Sequence, residues 1–488
     1  MHVKINWTPR TILAVAVFGL LGIVTSVRAE QPPAAGETTA GTKEVSPVAA
    51  GLAPAPAAAS TDQSAQTPAL PPVPATGLPD TISGGAQVGG PSTSTAGGPR
   101  APIGPAPAVE MPSERDMPVM NLPRETAVEN PLGRAAAFSG TAIGGYGELT
   151  LNAPSNGSAV VDLRRMVLYV GHNFSDRIRF YSEIEIEHAI SSAEDQGETE
   201  VEQAYLDGLI THRFNLRGGL ILMPVGIINV YHEPPTFNGV DRPDVDVLLI
   251  PSTWREPGFG AFGELTDGLT YQLYLVNGFN ANGFRSDTGI GDGHQEGQLA
   301  AARDFGGVLR LAFEPRLATI FGVSAYAATS GNSLRSTVGN VPVALVEADG
   351  RTRIRGFTAR GQVAATFMGD SAALNRALAA GSTEQMAAVP VASRMVGGYV
   401  EAGYDLLRFF LPTSEQELTL FGRFDYVNTQ SRVPAGFIAN PGFKRYAYTA
   451  GLVYRPLPYV ALKGDYRRRE FGAGSGFNEL AGAITWMF

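Results

Sequence analysis

The sequence predicts an all-β fold, a transmembrane antiparallel β-barrel of about 16 strands. Three observations carry that prediction. First, residues 1–29 hold Lys4 and Arg10, an apolar run from Thr11 to Val24, and Val27-Arg28-Ala29. A positive start, a short apolar run and small residues at a cleavage site make a secretory signal peptide. The run is shorter than the roughly 20 residues a membrane helix needs, and no later stretch is long and apolar enough to be one. Second, the stretch DRIRFYSEIEIEHA (176–189) alternates with period two. Ile178, Phe180, Ile184 and Ile186 share one face; Arg177, Arg179, Tyr181, Glu183, Glu185 and Glu187 share the other. An Arg or Lys facing lipid near the midplane costs about 2–4 kcal/mol, so the charged face must be the lumen. Third, the chain ends LAGAITWMF, with Leu480, Gly482, Ile484, Trp486 and Phe488 on one face of a strand that runs to the last residue.

Between the signal peptide and the first strand, residues 30–137 are dominated by Ala, Pro, Gly, Thr and Ser, with no aromatic in the runs QPPAAGETTAG, GLAPAPAAAS and PALPPVPATG. Such a segment buries too little apolar surface to offset its ordering entropy. It is expected to be a disordered periplasmic tether, with the barrel occupying 138–488. The chain has no Cys among its 488 residues, which excludes disulfides and thiolate chemistry. Its net charge is −9, and no nucleic-acid partner is expected.

Alternation places strands near 142–151, 160–172, 177–188, 200–211, 214–224, 258–266, 269–277, 300–313, 317–327, 394–408, 416–429, 443–455, 458–470 and 477–488. Short turns are expected at 173–176, 212–213, 266–268, 314–316, 411–416 and 455–458. Residues 351–367 read as one long strand. A short strand over 341–347, with a turn at 348–350, restores the alternation of short inner turns and long outer loops and brings the total to an even number.

In this scheme the segment 225–257 is the third and longest outer connection. It carries Pro234, Pro235, Pro243, Pro251 and Pro257, which fix φ and lower the entropy of holding one shape. A loop folded against the inner wall gains from that stiffness. Phe237, Trp254 and the run Val247 to Ile250 are its expected anchors. His232, Glu233, Asp241, Arg242, Asp244 and Arg255 are expected to face the pore.

A barrel of this size, with its longest insert after strand five, resembles bacterial outer-membrane porins, whose third loop folds inward. The stretch PVGIINVYHEPPTFNGVDRPDVDVLLIPSTWREPGFG is similar to the corresponding region of the phosphate-selective porin O/P group. The resemblance covers about 140–488. It implies a water-filled channel for small hydrophilic solutes or ions, anions such as phosphate among them. It also implies an outer-membrane location among lipids, a homotrimer, and recognition of the strand ending in Phe488 by the barrel assembly machinery. In the O/P group, rows of Arg and clusters of Lys line the pore; this chain has Arg, almost no Lys, and a row of Glu.

Besides Arg177, Arg179, Glu183 and Glu185, the expected pore-lining residues are Arg217, Arg310, Arg423, Arg445, Lys463 and Arg467. Strand three runs outward, so its arginines should lie low and its glutamates high, leaving weak net ion selectivity. The alternative reading is a structural or adhesive barrel without transport. No enzyme is expected: there is no G-x-S-x-G, and the six His (2, 172, 188, 212, 232 and 294) include no His-X-His pair. His232-Glu233 with Asp241, Asp244 and Asp246 would be a Ca²⁺ or Zn²⁺ cluster only if the acidic residues held the 12-residue calcium-loop pattern with its central Gly; they lack it, so a solvated loop face, no metal and no cofactor are expected.

Overall fold

A computed structural model describes residues 140–192, 195–380 and 390–488. The expected signal peptide and the tether over 30–137 lie outside these residues. The described chain forms sixteen strands. They are β1 (Gly140–Pro154), β2 (Val160–Asn173), β3 (Ile178–Glu187), β4 (Thr199–Leu209), β5 (Asn215–Leu222), β6 (Arg255–Thr266), β7 (Leu269–Asn277) and β8 (Phe305–Arg316). There follow β9 (Thr319–Ala328), β10 (Val343–Ile354), β11 (Phe357–Met368), β12 (Arg394–Asp405), β13 (Glu417–Arg432), β14 (Lys444–Leu457), β15 (Val460–Phe471) and β16 (Phe477–Met487).

Each strand pairs antiparallel with its sequence neighbours, and β1 pairs with β16, so the sheet is a closed barrel. Closure is completed at the C-terminus. Phe488 N donates to Gly145 O at 2.9 Å, and Gly145 N donates back to Phe488 O at 3.0 Å. The outer face explains two glycines here. A Cβ on Gly147 would meet the Trp486 ring at 2.6 Å, and one on Gly145 would meet Val167 O at 2.4 Å.

Alternation decides which face is which. In β3, Ile184 and Ile186 are exposed, whereas Tyr181, Glu183 and Glu185 are buried toward the inside. The same holds around the barrel, where Leu149, Leu168, Val201, Leu206, Val363, Leu420, Leu462 and Ile484 are all exposed outward. A continuous apolar belt of this extent is incompatible with water as its solvent. A closed sheet leaves no unpaired backbone edge for lipid to meet. The chain is therefore a transmembrane β-barrel of the outer-membrane type. No helix among the described residues is long and apolar enough to cross a membrane.

Several expected boundaries are corrected. β10 runs through 348–350 to Ile354, and β11 begins at Phe357, so 351–367 is two strands. The reversal is the two-residue turn Arg355-Gly356, both with positive φ (48° and 85°), which is the hairpin geometry that matches strand twist. Pairing of Ile354 with Phe357 fixes it. β8 starts at Phe305 rather than 300. The connection after β12 holds a helical turn, Leu407–Phe410. The third outer loop spans 223–254, because Arg255 to Pro257 pair with Leu222 to Leu220 of β5.

Candidate functional site: an inward loop in a charged lumen

The loop 223–254 is folded inside the barrel. Its apolar residues make a core there with inward tyrosines of the wall, including Tyr146, Tyr169, Tyr274 and Tyr399. Trp254 stacks on Phe279 with ring centroids 5.0 Å apart and meets Tyr326 edge-on at 4.8 Å. Of the expected anchors, Phe237, Leu249, Ile250 and Trp254 are buried, while Val247 is exposed.

Polar contacts then fix the loop to widely separated parts of the wall. On one side, Lys463 of β15 donates to the carbonyls of Pro234 (2.6 Å) and Gly239 (2.9 Å), with its ammonium 4.1 Å from the centre of the Phe237 ring. Val240 N donates to Asp465 at 2.7 Å. Arg469 donates twice to Asp244, at 2.9 and 3.0 Å. On another arc, Gln362 of β11 accepts from Ile227 N and donates to Asp246, both at 2.8 Å. Asn238 donates to Glu401 of β12 at 2.9 Å. Tyr169 of β2 donates to Glu233 at 3.2 Å.

Two β-bulges bring extra charge inward. β1 and β2 pair Glu148 with Arg165 and then Leu149 with Leu163, so Arg164 is the added residue. β3 and β4 pair Glu183 with Gln203 and then Ile184 with Val201, so Glu202 is added. A bulge breaks the period of two and re-aims a side chain. Arg164 thereby reaches Asp241 at 2.7 Å, while Arg165 still faces Glu148 at 2.9 Å. Glu202 is fully buried beside His232 of the loop, with Nε2 3.4 Å from its carboxylate.

Asp241 and Asp246 lie on the loop, not on a strand. Burial raises the Asp241 carboxyl, but Arg467 and Arg164 beside it outweigh burial and hold it well below the usual range. Asp246 is pushed up to about 7 by burial, against the bond from Gln362.

The expected pore residues sort as follows. Arg179, Glu183 and Glu185 are inward on β3, with Arg179 in register with Asp207. Arg217 grips Asp207 with two bonds of 2.8 Å and lies over Tyr205. Arg310 binds Ser324 and Asp349. Arg423 binds Asp425 at 2.9 Å and the Asp241 carbonyl at 3.2 Å. Arg467 reaches Asp241 at 2.9 Å. Arg445 sits at the outer end, donating to the carbonyl of Asp287 in the loop 278–304. Arg177 is not in the wall: it lies in the exposed bend before β3. Arg255 belongs to β6, where it pairs with Glu200 and with Glu296 at 3.0 Å.

Of the loop charges expected to face an open pore, two face the wall instead and three border open space. His232 and Glu233 are enclosed against β2, β3 and β4. Asp241, Arg242 and Asp244 do border space, a cavity of about 330 Å³ that Glu148, Arg164, Arg165 and Arg469 also line. A second cavity of about 100 Å³ lies on the side of β10 to β14, lined by Arg351, Arg353, Arg360 and Arg455 with Glu401 and Glu417. Each cavity thus has four arginines, against three carboxylates in the first and two in the second. The expected acidic upper throat is corrected accordingly, since Glu183 and Glu185 are shut behind the loop.

No known protein-family profile matches the chain. Among solved structures it is similar to OmpF of Salmonella typhi in complex with daunomycin (12% identity, 71% of this chain and 97% of that one, TM-score 0.48). It is also similar to the outer membrane channel DcaP of Acinetobacter baumannii (12%, 71% and 97%, TM-score 0.46) and to an anion-selective porin from Comamonas acidovorans (10%, 72% and 100%, TM-score 0.46). These are distant likenesses. In sequence, the chain is 36% identical over 355 residues to an uncharacterized protein of Aquifex aeolicus (strain VF5), covering 72% of this chain and 80% of that one. At that identity and coverage, the chain belongs to one family with the Aquifex aeolicus protein.

Proposed function

We propose that the protein is an outer-membrane porin whose passage for small hydrophilic solutes runs between the inward loop and the barrel wall. The observation that carries this reading is the loop 223–254 held inside the lumen by polar bonds, with charged cavities on two sides of it. A narrow, wet, charge-lined path favours ions and small polar solutes over apolar ones. The arginine excess in both cavities supports a weak preference for anions, phosphate among them, because guanidinium forks match oxyanion geometry. The reading assigns the chain no catalytic step.

Purified protein in a planar bilayer tests it. Stepwise conductance, with a reversal potential displaced toward anions in a salt gradient, is the expected result. A second reading, a structural barrel closed by its own loop, is favoured by the number of wall contacts the loop makes. Correctly folded protein that inserts and stays silent would support that second reading and end the first.

A further inference from the structure

We infer that Glu183 of β3, Glu202 of β4 and His232 of the inward loop form a binding site for one divalent transition-metal ion. The three side chains are at most 2% exposed, and one donor atom from each lies within 4.8 Å of the others. His232 Nε2 is 3.4 Å from a Glu202 oxygen and 3.7 Å from Glu183 Oε2. Donors on a tetrahedral ion with bonds of about 2.1 Å sit roughly 3.4 Å apart. The two distances from Nε2 are close to that spacing.

The imidazole is oriented for the task. Its Nδ1 lies 3.2 Å from the carbonyl of Asn229, a partner that only an N–H can satisfy. With the proton on Nδ1, the lone pair of Nε2 points at carboxylate oxygens, which are themselves acceptors. Lone pairs facing one another are repulsive unless a cation lies between them. Glu183 Oε2 and Glu202 Oε1 are buried and have no hydrogen-bond donor among the protein groups, and neither has Glu233 Oε2. Negative charge is also in excess. Glu183, Glu185, Glu202 and Glu233 crowd the site; the cations near them are Arg165, 3.4 Å from Glu185, Arg242, Arg255 through Glu200, and the imidazole if it is protonated. Glu200 and Glu185 form a second set with Glu202, which supplies neighbouring oxygens.

The chemistry selects the ion. One imidazole nitrogen with carboxylate oxygens suits Zn²⁺, Co²⁺, Mn²⁺ or Fe²⁺ better than Mg²⁺ or Ca²⁺, which take oxygen alone. No metal motif marks the sequence, because the ligands come from two strands and a loop, and Glu202 turns inward only through its bulge. A bound ion would pin His232 of the loop to β3 and β4. The inference does not rest on the channel reading: a silent barrel can still bind the ion.

The test uses the folded, full-length mature protein in detergent, stripped with EDTA and titrated with Zn²⁺ alone. One Zn²⁺ per chain is expected. Glu202→Gln and His232→Asn should each lose at least the roughly 10–100-fold in affinity that removing even an outer-shell partner costs. Folding of each variant is checked by its heat-dependent migration on gels. If the variants do not fold, X-ray absorption at the zinc edge of the native protein decides, with one imidazole nitrogen and otherwise oxygen expected. Absence of saturable binding would overturn the proposal and leave an imidazolium between the glutamates. So would unchanged affinity in folded variants, or a spectrum with several nitrogens.

Discussion

The carboxylate of Asp241, on the inward loop, accepts from the guanidinium of Arg467 on β15 at 2.9 Å, although the two residues stand 226 positions apart. Arg467 is almost wholly buried and Asp241 only partly so. Removing the carboxylate leaves Arg467 and Arg164 facing each other's charge without their shared partner. Asp241→Ala should therefore cost about 1–3 kcal/mol of barrel stability, read as a lower temperature of gel-mobility conversion. An unchanged temperature would mean that the bond does not hold the loop.

Lys463→Met should act on the same seat from another point. It keeps the side-chain length but removes the donor to the Pro234 and Gly239 carbonyls and the charge over Phe237. Orphaned buried carbonyls cost about 1–3 kcal/mol each. The loop should fluctuate, and single-channel recordings should show added open-state noise. Recordings as quiet as those of the native protein would count against Lys463 as an anchor.

Deleting Trp486 to Phe488 removes the closing bonds to Gly145 and the last pairs with β1. Each backbone group left unpaired in lipid costs several kcal/mol. The truncated chain should fail to accumulate as a folded barrel. Native levels of heat-resistant protein in the membrane would contradict the closure seen here.

Selectivity should follow the cavities. Arg351→Gln with Arg353→Gln leaves the cavity beside β10 to β14 with two arginines and two carboxylates, and the reversal potential should move toward cations. Glu183→Gln should move it little, because that side chain is enclosed by the loop. A large shift from Glu183→Gln, with none from the arginine pair, would place the path on the other side of the loop.

Most of the barrel was legible because lipid enforces a simple rule. A charged row such as Arg179, Glu183 and Glu185 can face only the inside, so alternation in one strand orients it. The inward loop was legible too, from its length, its prolines and its place after β5. The rule fails wherever the period of two breaks. Arg355-Gly356 is a two-residue reversal inside an unbroken apolar-polar rhythm, and the positive φ of both residues was the only mark of a turn; an Arg-Gly pair signals it weakly. Arg164 and Glu202 sit at bulges, so strict alternation gives no reason to send them inward with their neighbours Arg165 and Gln203. Arg177 escapes the rule for the opposite reason: it stands one residue before β3 begins, where alternation no longer constrains it. The wall partners of His232, Asp241 and Asp244 depend on how the loop is seated, which no local pattern encodes.

If the loop 223–254 narrows a conducting barrel, as proposed above, removing it must widen the path. Leu222 and Arg255 are direct ladder partners, so a short Gly/Ser linker replacing 225–252 closes the gap without straining β5 or β6. Single-channel conductance of this variant, beside the native protein in the same bilayer and salt, is the most direct measurement. A clear rise in conductance with a weaker anion preference is expected. Unchanged conductance in a correctly folded variant would contradict it.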